Sequence, residues 1–289
     1  MRKILLVGCS GEIGSRLANL LLNEGFTVYG IRNARNCEIF HPLHHCEEKN
    51  LLMHKVDMSN IRPEILIHTA WLTTPGVFWN SEVNKSWVKA SKQIIEEFIG
   101  CGGKYLVVTG SCAEYAWDSP NPLNEDSLEN PNTLYGMARM ELLNWIRERS
   151  LPYLWTRTFF QFGMREAPGR LIPSLIDAFE KNSKYMIQNR NHIRDFVFVE
   201  DVAQIMHKLI LLRQNGIVNI GSGIGHSVGG ISLMVMHAMG KRGLVQYSQG
   251  EVTDSQVVSN TQKLDSIIGK YEWVPMEEAI SRSIDARLK

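Results

Sequence analysis

Lys3-Ile-Leu-Leu-Val7 runs directly into Gly8-Cys-Ser-Gly11-Glu-Ile-Gly14 and then into Ser15-Arg-Leu-Ala-Asn-Leu-Leu-Leu22. A short apolar run, three glycines spaced three apart and an amphipathic stretch predict a strand, a tight turn and a helix. Gly8 can adopt backbone angles that other residues resist. Gly11 leaves room for a pyrophosphate, and Gly14 lets the helix pack close to the strand.

The start of that helix offers free N–H groups and a favourable dipole to a phosphate. We therefore expect a dinucleotide site built by the turn, with the cofactor contacted by Gly8, Ser10, Gly11, Glu12, Ile13 and Gly14. The alternative is a purely structural turn, because strand-to-helix turns often contain glycine without binding a ligand.

The composition is that of an ordinary soluble globular protein. The 289 residues are 44% hydrophobic and 21% charged, with a net charge of +1. This charge gives no reason to expect nucleic acid or a membrane surface as a partner. No apolar run approaches the length of a membrane span, and Arg2-Lys3 leads into a strand rather than a signal peptide, so we expect a cytoplasmic protein.

The five cysteines are odd in number and scattered, which favours free thiols in a reducing compartment. Cys37, His41, His44, His45 and Cys46 lie close together and could in principle bind zinc. Their spacing fits no common zinc motif, and the segment is predicted to be a surface loop after the second strand. We therefore expect no metal there.

Strand and helix patterns alternate along the chain, which predicts an α/β fold with a Rossmann-type, doubly wound parallel sheet. The predicted strands are Lys3–Val7, Thr27–Ile31, Leu51–Val56, Glu64–Thr69, Tyr105–Thr109, Tyr153–Thr158 and Val218–Ile220. The predicted helices are Ser15–Leu22, Asn84–Ile99, Leu134–Arg149, Arg170–Phe179, Val202–Leu212 and Ile231–Met239.

The alternation loosens after Gly163. We expect a nucleotide-binding domain over residues 1–163, with residues 196–222 returning to it. Residues 164–289 should form mainly a small C-terminal substrate-binding lobe.

The residues at the end of the second strand indicate which dinucleotide binds. NAD-binding turns of this kind place an acidic residue at the end of that strand to hold the ribose hydroxyls. Here the corresponding segment carries Arg32 and Arg35 instead. A guanidinium can grip a 2′-phosphate in a bidentate manner, so the sequence favours NADP(H); the alternative is two solvated loop arginines. Asp57 suits an adenine amino group or, equally, a turn.

Three further residues suggest the chemistry. Ser111 follows the strand Tyr105–Thr109, and Tyr135 and Arg139 lie four apart on one helix face. Reducing a ketone by hydride transfer develops an alkoxide, which needs a proton donor and a polarising hydrogen bond. Tyrosine becomes a useful acid or base when a nearby cation favours its phenolate.

These segments together resemble the extended short-chain dehydrogenases/reductases, in the group of nucleotide-sugar epimerases, dehydratases and ketoreductases. The resemblance covers nearly the whole chain. It rests on the glycine turn, Asp57-Met58, Ile67-His68-Thr-Ala70, Asn84, Ser111, Tyr135-x-x-x-Arg139, Arg157-Thr-Phe159, Arg194-Asp-Phe-Val-Phe-Val-Glu-Asp201 and Val218-Asn-Ile-Gly221.

The resemblance implies roles for matching positions. Tyr135 would be the acid/base, Ser111 would hydrogen-bond the substrate oxygen, and Arg139 would hold the nicotinamide ribose. Met58, Thr69 and Ala70 would line the cofactor site. Substrate contacts would come from Trp71, Thr73, Ser111, Phe160, Arg170 and Arg194. Arg194 matches an arginine that pairs with a nucleotide-sugar diphosphate; the alternative is a structural salt bridge with Asp195 or Asp201.

Three departures from the family pattern bear on function. Arg139 replaces the usual lysine, which preserves the charge but removes a readily released proton. Phe160 stands where the family often has asparagine. Cys112 and Ala113 replace the Asp-Glu pair that dehydratases carry after the Ser or Thr.

The sequence therefore favours NADPH-dependent reduction of a keto group on a nucleotide-linked 6-deoxy sugar, with Tyr135 as proton donor. The alternatives are an epimerase of the same family, or a catalytically impaired NADPH-binding sensor or scaffold marked by Arg139. The resemblance also implies a homodimer formed through the helices Asn84–Ile99 and Leu134–Arg149.

Overall fold

The computed structural model describes residues 2–33, 41–249 and 254–289. The strands in these residues are β1 (Lys3–Val7), β2 (Thr27–Arg32), β3 (His44–Glu48), β4 (Ile65–His68), β5 (Tyr105–Ser111), β6 (Tyr153–Thr158), β7 (Phe160–Phe162), β8 (Tyr185–Ile187), β9 (Ile193–Arg194), β10 (Phe196–Phe198), β11 (Gly216–Ile220), β12 (His226–Ser227), β13 (Val245–Tyr247) and β14 (Gln256–Val257).

Helices fill most of the connections between these strands. They are α1 (Glu12–Asn23), α2 (Val83–Gly100), α3 (Leu134–Arg147), α4 (Leu171–Glu180), α5 (Val199–Leu211), α6 (Val228–Ala238), α7 (Gln262–Ile268) and α8 (Met276–Leu288). Short 3-10 turns lie at Phe78–Asn80 and Cys112–Glu114. In the described parts of the chain, no helix is both long and apolar enough to cross a bilayer.

A seven-stranded parallel sheet dominates the described residues. Its strand order is β11-β6-β5-β4-β1-β2-β3, with parallel pairing throughout. Helices α1 and α5 cover one face, and α2 and α3 cover the other. The predicted fold class, an α/β Rossmann-type sheet, is therefore confirmed. The switch in strand order between β1 and β4 places a ligand crevice at the carboxyl ends of these strands.

The third predicted strand is wrong. Residues 51–54 form a turn, and the strand lies earlier, at His44–Glu48. This segment is an edge strand whose last four residues are exposed, so it carries none of the apolar pattern that burial imposes. The loop predicted around His44 and Cys46 is wrong for the same reason. Cys37 and Arg35 lie outside the described residues.

The second half of the chain contains more structure than the sequence indicated. Strand β11 pairs with β6 of the main sheet, and α5 packs beside α1. A separate apolar core gathers buried residues of α4, α6 and α8 with the aromatic residues Phe162, Phe196 and Phe198. The domain boundary at residue 163 stays a prediction.

Candidate functional site

The glycine turn is closely packed, as its spacing indicates. Gly8 has a φ of 95°, in the left-handed region, and a Cβ there would come 2.7 Å from Thr69 Oγ1. A Cβ on Gly14 would come 2.1 Å from the Gly8 carbonyl oxygen. Gly11 caps α1 without any side-chain hydrogen bond, so the first turn of the helix keeps N–H groups for a phosphate.

A cleft of about 600 Å³ opens beside this turn. The predicted cofactor residues that line it are Gly8, Ser10, Gly11, Glu12, Ile13, Gly14, Thr69 and Ala70. Trp71, Thr73 and Arg170, predicted for substrate, line it too. The Thr69 hydroxyl donates to the Val7 carbonyl at 3.0 Å, so it braces the turn from within. The residues around the turn thus fit a dinucleotide.

Four charged side chains cluster at the mouth of the turn. Glu12 accepts hydrogen bonds from Arg16 at 3.0 Å and lies 3.6 Å from Arg165 Nε. Arg165 also donates to Ser15. These arginines offset the Glu12 carboxylate, which would otherwise repel a phosphate. Sequence reasoning missed Arg165 because it lies 150 positions from Ser15 and belongs to a loop without a motif.

Glu166 is the fourth of these groups and also lines the cleft. Burial raises the pKa of its carboxyl to about 8, with Arg170 partly offsetting the effect and Glu12 adding to it. Arg170 Nε lies 3.9 Å from Glu166 Oε1. A carboxyl that holds its proton near neutral pH can donate a hydrogen bond inside the cleft.

The end of the cleft beside β2 and β3 is bordered by Asn33 and Lys49. Arg32 ends β2 as predicted, but its Nη1 lies 2.7 Å from Glu48 Oε2 on the neighbouring strand β3. Lys49 pairs with Glu47 at 2.9 Å. Acidic residues are therefore present at this end of the site, contributed by β3 rather than by β2.

Asp57 and Met58 take structural positions. The Asp57 carboxylate is exposed and accepts the Ser59 backbone N–H at 2.8 Å, which is the geometry of a turn. Hydrogen bonding to Ser59 lowers the pKa of this carboxyl. Met58 is fully buried in the core beneath the sheet. Among the described residues that line the cleft, neither is present.

The three predicted catalytic residues lie where β5 ends and where α3 begins. Ser111 ends β5, and Tyr135 in the first turn of α3 packs against Ala113, two residues after Ser111. Gly136 permits this contact, since a Cβ there would come 2.3 Å from the Ala113 carbonyl oxygen. The Arg139 guanidinium carbon lies 5.8 Å from the centre of the Tyr135 ring. A hydroxyl, a phenol and a cation therefore share one region.

Arg139 is almost fully buried, at 2% exposure, among aromatic rings. Its guanidinium carbon lies 4.3 Å from the Trp71 ring centre and 5.6 Å from that of Trp155. Within the described residues its Nε and Nη1 find no hydrogen-bond acceptor. Burial, together with the charge of Arg139, lowers the pKa of His68 to about 3. Among the described residues, these two buried N–H donors are therefore unsatisfied, which is uncommon for buried polar groups.

Aromatic side chains cover the predicted catalytic tyrosine. Tyr135 is only 7% exposed and meets the rings of Phe78 and Trp79 edge to face, with centres 5.0 and 5.8 Å apart. Of the described residues, those lining the 600 Å³ cleft include Trp71 but not Ser111, Tyr135 or Arg139. Trp71 both lines the cleft and contacts the Arg139 guanidinium, so it connects the cleft with the predicted catalytic residues.

Glu114 follows Ser111 by three positions but is occupied structurally. It is fully buried, accepts the Ser111 backbone N–H at 2.8 Å and pairs with Arg157 Nε at 2.7 Å. Trp155 donates to it as well. These partners hold the carboxylate in the scaffold, so Glu114 is not positioned to exchange protons with a substrate.

Arg194 does not form the salt bridge considered above. Asp195 is held by Ser222, Gly223 and Ser259, and Asp201 by Tyr271 and Val274. The Arg194 guanidinium instead donates to the carbonyls of Ile193 and Ser255.

Two aromatic rings flank this guanidinium. Its carbon lies 5.3 Å from the Trp117 ring centre and 5.4 Å from that of Phe160. Burial lowers the pKa of Arg194, and no carboxylate among the described residues pairs with it. A second cavity of about 540 Å³, lined by Trp117, Ile193 and Ser255, opens beside it.

Arg170 and Thr73 meet across the cleft. Arg170 Nη2 donates to the Thr73 carbonyl at 3.2 Å, and its guanidinium lies 5.4 Å from the Phe78 ring. The predicted substrate residues thus fall into two groups, one with Trp71 at the cleft and one with Arg194 and Phe160.

Comparisons with known proteins agree with this geometry. Residues 4–221 match the model of the NAD dependent epimerase/dehydratase family. The chain is 25% identical to GDP-6-deoxy-D-talose 4-dehydrogenase of Aggregatibacter actinomycetemcomitans, over 78% of this chain and 76% of that protein. It is 22% identical to UDP-glucuronate 4-epimerase of Thermodesulfobacterium geofontis, over 97% and 94%.

The fold also matches solved structures. UDP-glucuronic acid 4-epimerase from Bacillus cereus, in complex with UDP-glucuronic acid and NAD, superposes with a TM-score of 0.85 at 19% identity, covering 99% of each chain. The resemblance to extended short-chain dehydrogenases/reductases is thereby confirmed. With its glycine turn, parallel sheet and family match over residues 4–221, the chain belongs to the NAD dependent epimerase/dehydratase family.

Proposed function

We propose that this protein is an oxidoreductase that reduces a 4-keto group on a nucleotide-linked 6-deoxy sugar, with NADPH as hydride source. The observation that carries the proposal is the grouping of Ser111, Tyr135 and Arg139 at the ends of β5 and α3. The relative from Aggregatibacter, named as a 4-dehydrogenase of a GDP-linked 6-deoxytalose, supports the same reaction class.

The residues of this group have complementary roles in such a reaction. When bound, the nicotinamide would supply or accept the hydride. Tyr135 would give its phenolic proton to the oxygen that becomes negative, and the Ser111 hydroxyl would donate a hydrogen bond to that oxygen. The Arg139 guanidinium, 5.8 Å from the tyrosine ring, would lie near the negative charge that proton transfer leaves behind.

The residues that follow Ser111 argue against a dehydratase. Elimination of water needs a further acid and base beside the sugar. Cys112 and Ala113 cannot supply them, and Glu114 is held by Arg157 and Trp155 inside the scaffold.

The nucleotide-sugar would place its diphosphate near Arg194. This cation is 7% exposed and lacks a carboxylate partner among the described residues. Buried cations of this kind gain from an anionic ligand. Trp117 beside the 540 Å³ cavity could then stack on a nucleobase.

Arg32 supports NADP(H) over NAD, because its guanidinium ends β2 where a 2′-phosphate would bind. Glu48 competes for that guanidinium at 2.7 Å. Glu48 is 54% exposed, and an ion pair of this kind contributes at most about 1 kcal/mol. A phosphate can therefore displace it. The alternative cofactor is NAD, which is the dinucleotide bound in the Bacillus cereus neighbour.

A 4-epimerase is the second candidate, since the Thermodesulfobacterium relative covers nearly the whole chain and carries that name. An epimerase regenerates its cofactor within each cycle, whereas a reductase consumes it. Incubating the protein with GDP-, dTDP- and UDP-linked sugars, as 4-keto-6-deoxy and as 4-hydroxy forms, separates the two. We expect stoichiometric loss of NADPH with a 4-keto substrate. Conversion of a 4-hydroxy sugar to its 4-epimer without net cofactor change would contradict the proposal.

A further inference from the structure

Two cysteine sulfurs and one histidine nitrogen meet beside the glycine turn. Cys9 follows β1 and is fully buried, while His44 and Cys46 lie two residues apart on β3. Side chains at such a spacing share one face of a strand. The Cys9 and Cys46 sulfurs are 3.6 Å apart, and all three ligand atoms lie within 4.8 Å of one another.

Gly30 makes room for this group. It lies in the middle of β2, between β1 and β3, where it pairs with Leu6 and Cys46. A Cβ at this position would come 2.7 Å from Cys9 Sγ and 2.9 Å from His44 Nε2. Glycine weakens a strand interior and marks a close approach of other groups. The missing side chain at Gly30 therefore leaves a space in the sheet, and the Cys9 sulfur and the His44 imidazole border it.

The spacing suits a metal ion better than a covalent link. Two thiolates bound tetrahedrally to zinc at about 2.3 Å lie roughly 3.8 Å apart. A disulfide would require about 2.05 Å. An imidazole nitrogen binds zinc at about 2.0–2.1 Å, which a small rotation of His44 on the exposed edge strand can provide.

We propose that Cys9, His44 and Cys46 supply three of the ligands of a bound Zn²⁺ ion. Thiolate and imidazole ligands together favour thiophilic ions of this class. The ion would tie the exposed edge strand β3 to the turn that follows β1. The turn is already hydrogen-bonded to β2, through the Cys9 N–H and the Ile31 carbonyl at 3.2 Å. This site is independent of the proposed reaction, and it revises the expectation of no metal.

Cobalt titration of the reduced, tag-free protein tests the site. Co²⁺ in a tetrahedral site with thiolate ligands gives strong visible bands and a thiolate-to-metal charge-transfer band. We expect one equivalent to produce both, and Zn²⁺ to abolish them by displacement. Cys46→Ser and His44→Gln, on the exposed strand, should each weaken binding by at least about 100-fold, since loss of outer contacts alone costs up to about 100-fold.

The matched control is Cys101→Ser at the end of α2, a partly exposed cysteine outside the group. It should bind as the parent does. The proposal is overturned if Co²⁺ shows only weak octahedral bands, or if Cys46→Ser binds as tightly as the parent. It is equally overturned if thiol counting and mass analysis reveal a Cys9–Cys46 disulfide while the reduced protein takes up no metal.

Discussion

The Arg139 guanidinium stacks on the indole of Trp71, with its central carbon 4.3 Å from the ring centre. Trp71 lines the cofactor cleft, whereas Arg139 lies behind it with Tyr135. Trp71 is itself fixed by a hydrogen bond from its Nε1 to Asn84 Oδ1 at 2.8 Å. The replacement of the family's lysine by arginine is therefore matched by an aromatic surface that a flat cation can cover.

This stacking predicts the effect of restoring lysine. In Arg139→Lys the point charge remains, but the flat contact with Trp71 is lost. A cation–π contact contributes about 0.5–2 kcal/mol, so we expect kcat to fall about threefold to thirtyfold. Steady-state kinetics measure it. Arg149→Lys, whose guanidinium covers Trp145 outside the cleft, is the control and should leave kcat unchanged. A clear gain in rate for Arg139→Lys would instead indicate an impaired site.

The pair of Arg32 and Glu48 predicts how cofactor choice can be altered. Glu48→Gln removes a carboxylate 2.7 Å from the guanidinium and should lower KM for NADPH about twofold to fivefold, the range of an exposed ion pair. Arg32→Ala should raise KM for NADPH. Parallel assays with NADPH and NADH measure both effects. If Glu48→Gln instead weakens NADH and leaves NADPH unchanged, Glu48 holds ribose hydroxyls and the NADP(H) assignment is wrong.

Arg194 pairs with no carboxylate among the described residues, which predicts a substrate-binding defect when it is replaced. Arg194→Met should raise KM for the nucleotide-sugar about tenfold to hundredfold, as expected for loss of a charge-assisted hydrogen bond. The value of kcat should change little, since the Arg194 guanidinium contacts Trp117 and Phe160 rather than Tyr135. Arg190→Met is the control, because the Arg190 guanidinium lies over the Tyr247 ring rather than beside Trp117 and Phe160. Equal KM values for the two variants would contradict a diphosphate contact.

Glu166 predicts how stability depends on pH. The pKa of its carboxyl is about 8 in the folded chain, above the ordinary value of 4.5. The folded state therefore retains a proton that the unfolded chain has released, and stability falls as pH rises between these two values. Thermal unfolding across that range should show a shallower decline in Tm for Glu166→Gln than for the parent. Glu272→Gln, at an exposed site, should keep the parent slope; identical slopes for all three proteins would contradict the assignment.

The parts of the site that were predictable follow from local rules. The spacing of Gly8, Gly11 and Gly14 specifies a turn, and the pair Tyr135 and Arg139 follows from helical periodicity. The buried strands of the sheet carry continuous apolar runs, which burial on both faces imposes.

The parts that were missed depend on contacts between distant segments. Strand β3 is an exposed edge held by pairing with β2, so its polar sequence gives no sign of a strand. Glu48 reaches Arg32 only through that pairing. Arg165 and Glu166 approach the turn from a loop some 150 positions later, and burial rather than sequence gives Glu166 its raised pKa. The predicted homodimer and the domain boundary stay predictions.

The most direct test of the account is deuterium transfer from NADPH labelled at nicotinamide C4 to a nucleotide-linked 4-keto-6-deoxy sugar. We expect one deuterium at the reduced sugar carbon for each NADPH consumed. Tyr135→Phe should lower this rate by about 10²–10⁴-fold, the usual contribution of a positioned acid, while NADPH binding is kept. Full activity of Tyr135→Phe, or a product formed by the parent without deuterium and without NADPH loss, would contradict it.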